Sequence, residues 1–194
     1  GKLLSLDMPV RLLPLLRGTS SRIHKSTLVR MSTDEHLMFV YGTLKRDQPN
    51  NHFILKKDSG HAEFVASGKT AKKYPLVIAG SYNIPYLLYV PGQGHQVQGD
   101  IYRVDLKKRN FMDEFESHPT YYERMEDDII VDDDSGSNTE PKMLRCWVYF
   151  MKNYKPDMLK LEAFPCYDTN GSHGLPYVES SAAIYKTVAS EPIS

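Results

Sequence analysis

A glutamate at the edge of an apolar helix face is the residue in this chain whose setting most directly invites proton chemistry. In Phe111-Met112-Asp113-Glu114-Phe115-Glu116-Ser117-His118-Pro119, Phe111 and Phe115 stand four residues apart and Met112 and Phe115 three, so they share one side of a helix. Glu116 follows Met112 by four and borders that side, while Asp113 and Glu114 point elsewhere. A carboxylate placed there loses part of its water. Desolvation disfavours the charged form, so the pKa climbs toward the range where the group can take and return protons near neutrality. Spacing alone leaves a surface glutamate in the last turn as the plainer alternative.

A second candidate is Tyr41-Gly42-Thr43-Leu44. A glycine at a strand end can adopt backbone angles closed to other residues, which lets the amides of a turn converge on one point and hold an anion or a polarised carbonyl. A helix start just beyond adds partial positive charge. Junctions of this kind are also common as plain structure, and spacing does not choose between the two. No covalent catalyst announces itself: a Gly-x-Ser-x-Gly elbow, a His-Glu-x-x-His pair and a phosphate-binding Gly-Lys-Ser/Thr are all missing. Pro91-Gly92-Gln93-Gly94 lacks the spacing of a dinucleotide loop and reads as a hairpin turn. His118 reads as a helix-end residue and His173 as a loop residue, neither with a metal-ligand partner at usable spacing. Asp132-Asp133-Asp134 lacks the terminal Glu of a calcium loop. No metal and no cofactor are therefore expected.

The elements that must carry these residues are short. Leu37 to Tyr41 is an apolar run ending at Gly42, read as a buried strand, and Asp47 and Pro49 look like the cap and first turn of a helix over Asn51 to Lys57. Ala62 to Lys69, Tyr74 to Ala79, Pro85 to Val90 and Val97 to Val104 follow as strands bounded by Gly, Pro or Asn. Asp105 then caps a helix from Leu106 to Ser117 that Pro119 must end. Glu123 to Val131 and Leu144 to Phe150 complete the set, joined by a solvated acidic loop. The expected class is α+β: a small, mostly antiparallel, barrel-like sheet of about six strands with flanking helices. The expected organisation is a leader over 1–36, one domain over 37–178 and a tail over 179–194.

In 194 residues, 24 basic side chains balance 24 acidic ones. Nothing global then draws the chain to nucleic acid or an anionic membrane, and small molecules are the expected partners of a monomer. No apolar run approaches the ~20 residues of a membrane-spanning helix. Two cysteines, Cys146 and Cys166, suit a reducing, cytoplasmic setting. From Lys2 to Arg30 the only acid is Asp7, set among six arginines and lysines with Leu, Ser and Thr, a composition that suits a mitochondrial transit peptide as well as a leader with no address.

Taken together, Val40-Tyr41-Gly42-Thr43-Leu44-Lys45-Arg46, Tyr74-Pro75-Leu76-Val77-Ile78-Ala79-Gly80 with Asn83-Ile84-Pro85, Phe115-Glu116-Ser117 followed by Tyr122-x-Arg124, and Tyr167-Asp168 with His173-Gly174-Leu175 resemble the γ-glutamylcyclotransferase-like superfamily, in its γ-glutamylamine cyclotransferase branch. The match runs in order from about Met38 to Tyr177. One departure is Asp47, where the branch implies glycine, a change expected to alter a loop and leave the pocket alone. The resemblance implies an enzyme that closes a γ-glutamyl amide into 5-oxoproline and expels the amine, with Glu116 as acid and base. It implies substrate binding at Tyr41, Gly42, Thr43 and Leu44, through the backbone amides of the last three, with Tyr41, Tyr122 and Arg124 standing evenly between a binding role and one in packing or the frame. γ-Glutamyl-ε-lysine is the expected substrate. γ-Glutamyl amino acids, glutathione, or a non-catalytic binding module on the same fold are the competing readings.

Overall fold

The computed structural model describes residues 35–132 and 140–179; most of the expected leader, the acidic loop over 133–139 and the tail from 180 lie outside them. Strand β1 (Glu35–Val40) starts two residues inside the stretch assigned to the leader. Helix α1 (Asn51–Leu55), a 3-10 turn (Lys57–Ser59) and strand β2 (Ala62–Tyr74) follow, then β3 (Leu76–Ala79), β4 (Ile84–Leu87), β5 (His95–Asp105), α2 (Leu106–Phe115), β6 (Glu123–Val131) and β7 (Met143–Phe150). No described helix is long and apolar enough to cross a membrane.

Five strands close a barrel in the order β1-β5-β2-β6-β7, and β3 and β4 form a separate antiparallel pair. Every barrel neighbour is antiparallel except the closing seam, where β1 meets β7 in parallel with Met38 opposite Trp147. Among the described residues the barrel has five strands, where a sheet of about six was expected, because β3 and β4 pair apart from it. β2 also runs through the gap between two expected strands: its register with β5 slips between Lys69 and Lys73, and there Thr70 supplies the missing partner. Its Oγ1 accepts from Val97 N at 2.9 Å and donates to Lys72 O at 2.6 Å, so the polar run Lys69 to Lys73 stays in the sheet.

The unbroken apolar run of β1 is explained by burial on both faces. Phe39 and Tyr41 join Ile101, Ile129, Val148 and Phe150 in one cluster drawn from the barrel strands, while Met38 and Val40 join Ile54 of α1 and Met112 of α2 in the other. Alternate side chains of a strand point to opposite faces, so β1 is the partition between the two. Met112 is fully buried, worth roughly 1.5–3 kcal/mol, and Phe115 packs on Phe53 at 5.1 Å between ring centroids. That contact fixes the end of α2 against α1.

Two helix ends differ from expectation. Asp47 and Pro49 do not cap α1: Asn50 holds the N-cap position without a capping hydrogen bond from its side chain to the helix, and Asp47 sits at φ 62°. This left-handed position is one that glycine fills at least cost, which gives the physical reason for the glycine implied there. Asp105 does cap α2, accepting from Lys108 N at 2.7 Å. At the other end α2 stops at Phe115, not at Ser117. Ser117 takes φ 52°, its N–H returns to Glu114 O at 3.1 Å, and His118 N returns to Asp113 O at 2.8 Å. This doubly bonded left-handed ending, with Glu116 as the C-cap, is normally built on glycine.

Candidate active site

One cavity gathers the two candidates. Its empty volume, counted out to the open mouth, is about 850 Å³, and Tyr41, Gly42, Thr43, Leu44, Glu116 and Tyr122 all line it, together with Asn50, Pro85, Phe115, Ser117, Tyr121, Tyr149 and Tyr177. The turn arrives from the end of β1 and Glu116 from the end of α2, so the interlocked helix ending described above sets the direction of the carboxylate. Glu116 is not in the last helical turn. As the C-cap, its own N–H still bonds Met112 O at 2.9 Å, and its carbonyl accepts from Tyr122 N at 3.4 Å.

Glu116 keeps part of its surface open, but into a cavity walled by Tyr41, Phe115 and Tyr122. Among the described residues no hydrogen bond or ion pair reaches its carboxylate, and burial alone pushes its pKa up to about 8. Phenols dominate its surroundings. Burial, and after it the Glu116 charge, holds Tyr41 far above the usual tyrosine range. Tyr122 is held there by burial and by Tyr41, Tyr86 and Glu116 in turn. These rings are neutral at every working pH.

The turn opposite is asymmetric in its hydrogen bonding. All three of its carbonyls are engaged: Gly42 O by Lys45 N at 3.1 Å, Thr43 O by Asn50 N at 2.9 Å, and Leu44 O by Asn51 Nδ2 at 2.8 Å. The N–H groups of Gly42, Thr43 and Leu44 donate to no described acceptor. Three uncommitted donors on residues lining one cavity are of the kind that can hold a carboxylate or a polarised carbonyl. Gly42 is required there for a reason the sequence did not announce. Its φ is not in the left-handed region; instead an added Cβ would lie 2.8 Å from Cγ of Pro85.

Two anchors lock the turn. Asp100, buried and facing Val40 across the β1–β5 ladder, accepts from Arg46 N at 2.8 Å and from its guanidinium at 3.3 Å. Asn50 Nδ2 donates to Thr43 Oγ1 at 3.1 Å and to Tyr177 OH at 3.4 Å, tying the C-terminal loop to the same wall. Arg124 is not at the cavity. Its Nε pairs with Asp113 Oδ1 at 2.7 Å, the oxygen that also accepts from Tyr149 OH at 2.7 Å, and its guanidinium lies 4.3 Å from the Trp147 ring centre. It is a frame residue because its charge is already neutralised. Tyr122 does line the cavity, with its OH 3.4 Å from Pro85 O. Asn50, Tyr121, Tyr149 and Tyr177 were not singled out from sequence. Single aromatics scattered along a chain carry no periodic signal, and Tyr177 meets Asn50 only through a loop 127 residues away.

The profile of the family described as gamma-glutamyl cyclotransferase, AIG2-like, matches residues 38–169. The chain is 45% identical over 148 residues to gamma-glutamylaminecyclotransferase C of Danio rerio, covering 76% of this chain and 95% of that one. It is 42% identical over 145 residues to the gamma-glutamylaminecyclotransferase of Homo sapiens, covering 73% and 95%. A solved structure of an AIG2-like protein from Mus musculus superimposes with a TM-score of 0.70 at 42% identity, covering 76% of this chain and 97% of that one.

Proposed function

This chain belongs to the gamma-glutamyl cyclotransferase, AIG2-like family, and from that premise we propose that it is a γ-glutamylamine cyclotransferase in which Glu116 carries the proton. The observation that bears most weight is the cavity itself, which puts an unpartnered carboxyl with a pKa near 8 across from three uncommitted backbone amides.

The chemistry needs little else. The substrate's α-amine attacks its own γ-carbonyl carbon, so nucleophile and electrophile arrive tethered, and a well-oriented intramolecular attack reaches effective molarities of ~10⁵ M or more. An enzymic Ser or Cys would add nothing. The amine is mainly protonated near neutrality. Glu116 in its ionised form removes one proton, and the same group, now protonated, returns it to the departing nitrogen as the C–N bond breaks; the second proton of the former ammonium follows by the same route and leaves with the released amine as its ammonium. The products are 5-oxoproline and a free amine, with no water consumed. The amides of Gly42, Thr43 and Leu44 hold the substrate's polar groups. Free lysine from γ-glutamyl-ε-lysine, the remnant of a digested isopeptide crosslink, is the amine we propose. A cytoplasmic setting is part of the same reading, supported by two cysteines that form no disulfide.

The purified chain, incubated separately with γ-glutamyl-ε-lysine, a γ-glutamyl amino acid and glutathione, should release 5-oxoproline and lysine from the first by far the fastest. Faster release of cysteinylglycine would reassign the substrate, and no 5-oxoproline from any of the three would leave a binding module. Gly42→Ala should lower kcat/KM by roughly 10- to 100-fold. The new methyl forces the turn away from Pro85, and a displacement of about 1 Å in a positioning element costs up to ~10²-fold; steady-state kinetics beside a melting curve would separate this from misfolding.

A further inference from the structure

Four phenols surround Glu116, and three of them already commit their O–H to a protein acceptor. Tyr41 OH donates to Tyr149 O at 2.8 Å, Tyr149 OH to Asp113 Oδ1 at 2.7 Å, and Tyr122 OH to Pro85 O at 3.4 Å. The fourth, Tyr121, lies 3.1 Å oxygen to oxygen from Tyr86. Tyr86 is 1% exposed and finds no other polar partner among the described residues. A buried hydroxyl that cannot reach water must donate to the acceptor it has. Tyr86 is therefore the donor and Tyr121 the acceptor, which leaves the proton of Tyr121 free on a residue that lines the cavity.

We propose that Tyr121 is a second catalytic residue, whose hydroxyl donates to the substrate's γ-carbonyl oxygen and stabilises the oxyanion formed there. This rests on the reading of Glu116 as proton carrier. With the first ammonium proton already on Glu116, the α-nitrogen lone pair forms the new C–N bond and the carbonyl π pair moves to oxygen. As the oxyanion re-forms C=O, the bond to the leaving nitrogen breaks and Glu116 protonates that nitrogen; the carboxylate so regenerated takes the second proton from the ring nitrogen and passes it to the released amine. Tyr121 keeps its proton throughout. A second donor is needed because the substrate carries two oxygen groups to be held, its α-carboxylate and its γ-carbonyl, and in the closing ring these lie on opposite sides of the attacking nitrogen. The three uncommitted amides belong to one short turn, which suits them to one of these groups. Tyr121 is tied to the other wall: its N–H bonds Ser117 O at 2.9 Å, and Tyr122 N bonds Glu116 O at 3.4 Å, so the segment folds back beside the carboxylate. Burial keeps this phenol un-ionised, as a donor must be.

The test is a set of full-length variants assayed on γ-glutamyl-ε-lysine. Tyr121→Phe should lower kcat about 10²-fold, as the loss of one preorganised donor does, with KM changed less than about threefold and the melting temperature unmoved. Tyr86→Phe should lower kcat only a few-fold by leaving Tyr121 unpinned, and the Tyr86→Phe, Tyr121→Phe double variant should match Tyr121→Phe alone, since the buried phenol acts through its neighbour. A Tyr121→Phe enzyme with kcat within threefold of the parent, or one weakened only through KM or melting temperature, overturns the assignment. So do independent, additive losses in the double variant. Loss of kcat in Ser117→Ala with none in Tyr121→Phe would give the role to the serine hydroxyl on the same wall. Full rate in Glu116→Gln would instead bring down the underlying mechanism and the role of Tyr121 with it.

Discussion

Replacing Glu116 by Gln is expected to lower kcat by 10²- to 10⁴-fold, the usual worth of a positioned acid/base group, which is about 3–5.5 kcal/mol of transition-state free energy. The amide fills the same space, so the cavity and the helix ending that presents residue 116 stay intact. What disappears is the ability to hold a proton between its removal from the attacking amine and its delivery to the departing one. The pH profile carries the signature. In the free enzyme the carboxyl titrates near 8 because burial disfavours its charge, and only the ionised form accepts a proton. kcat/KM should therefore fall about tenfold per pH unit below that point. In the complex the substrate's ammonium lies beside the carboxylate and pulls its pKa down, so the acid limb of kcat should sit at lower pH than that of kcat/KM. The residual activity of the Gln variant should show neither limb. A variant that keeps full turnover and the parent's pH profile would remove Glu116 from the chemistry.

The same substitution is expected to stabilise the protein in alkaline solution. An unfolded Glu titrates near 4.5 and the folded one near 8. Between those values the native state holds a proton that the unfolded state has lost, so stability falls as pH rises through that window, by about 1.4 kcal/mol per unit at full effect. Below 4.5 both states are protonated and above 8 both are ionised, so the difference levels off at each end. The ceiling is about 5 kcal/mol, and the cavity's open mouth lowers it because water reaches part of the side chain. Glutamine has no charge to desolvate. Thermal melts of the two proteins should nearly coincide near pH 4.5, then separate in favour of the variant up to about pH 8, by roughly 10 °C or less. Melting curves that stay parallel from pH 5 to pH 9 would mean that the carboxyl is not desolvated as its position indicates.

The parts legible in the sequence were those governed by local rules. The bounds of β6 follow from the strand signals of its own residues, Asp105 announces its helix by the ordinary preference of aspartate for an N-cap, and apolar spacing on α2 marks Glu116 as bordering the buried face without by itself choosing between that and a surface position. The rest depended on contacts distant in the chain. Ser117 gives no warning that it will take a left-handed conformation, since glycine usually does so, and the helix was accordingly drawn two residues too long. Arg124 looked available for a substrate until its partner appeared: Asp113 and Tyr149 claim it, and neither adjoins it in sequence. Gly42 was noticed for its backbone freedom but serves through close approach to Pro85, a residue of the separate β3–β4 pair. Tyr86 and Tyr121 passed unnoticed because only the fold brings their hydroxyls together.

The parallel seam between β1 and β7 dictates when this protein can begin to work. Tyr41 reaches across toward β7 to Tyr149, 108 residues further along, and such long-range closures are entropically costly and late to form. During synthesis the glycine turn leaves the ribosome well before the strand that must close against it. The growing chain holds a receptor without its wall until almost the whole domain has emerged. The cavity that the turn and Tyr149 line together is complete only once β7 has emerged.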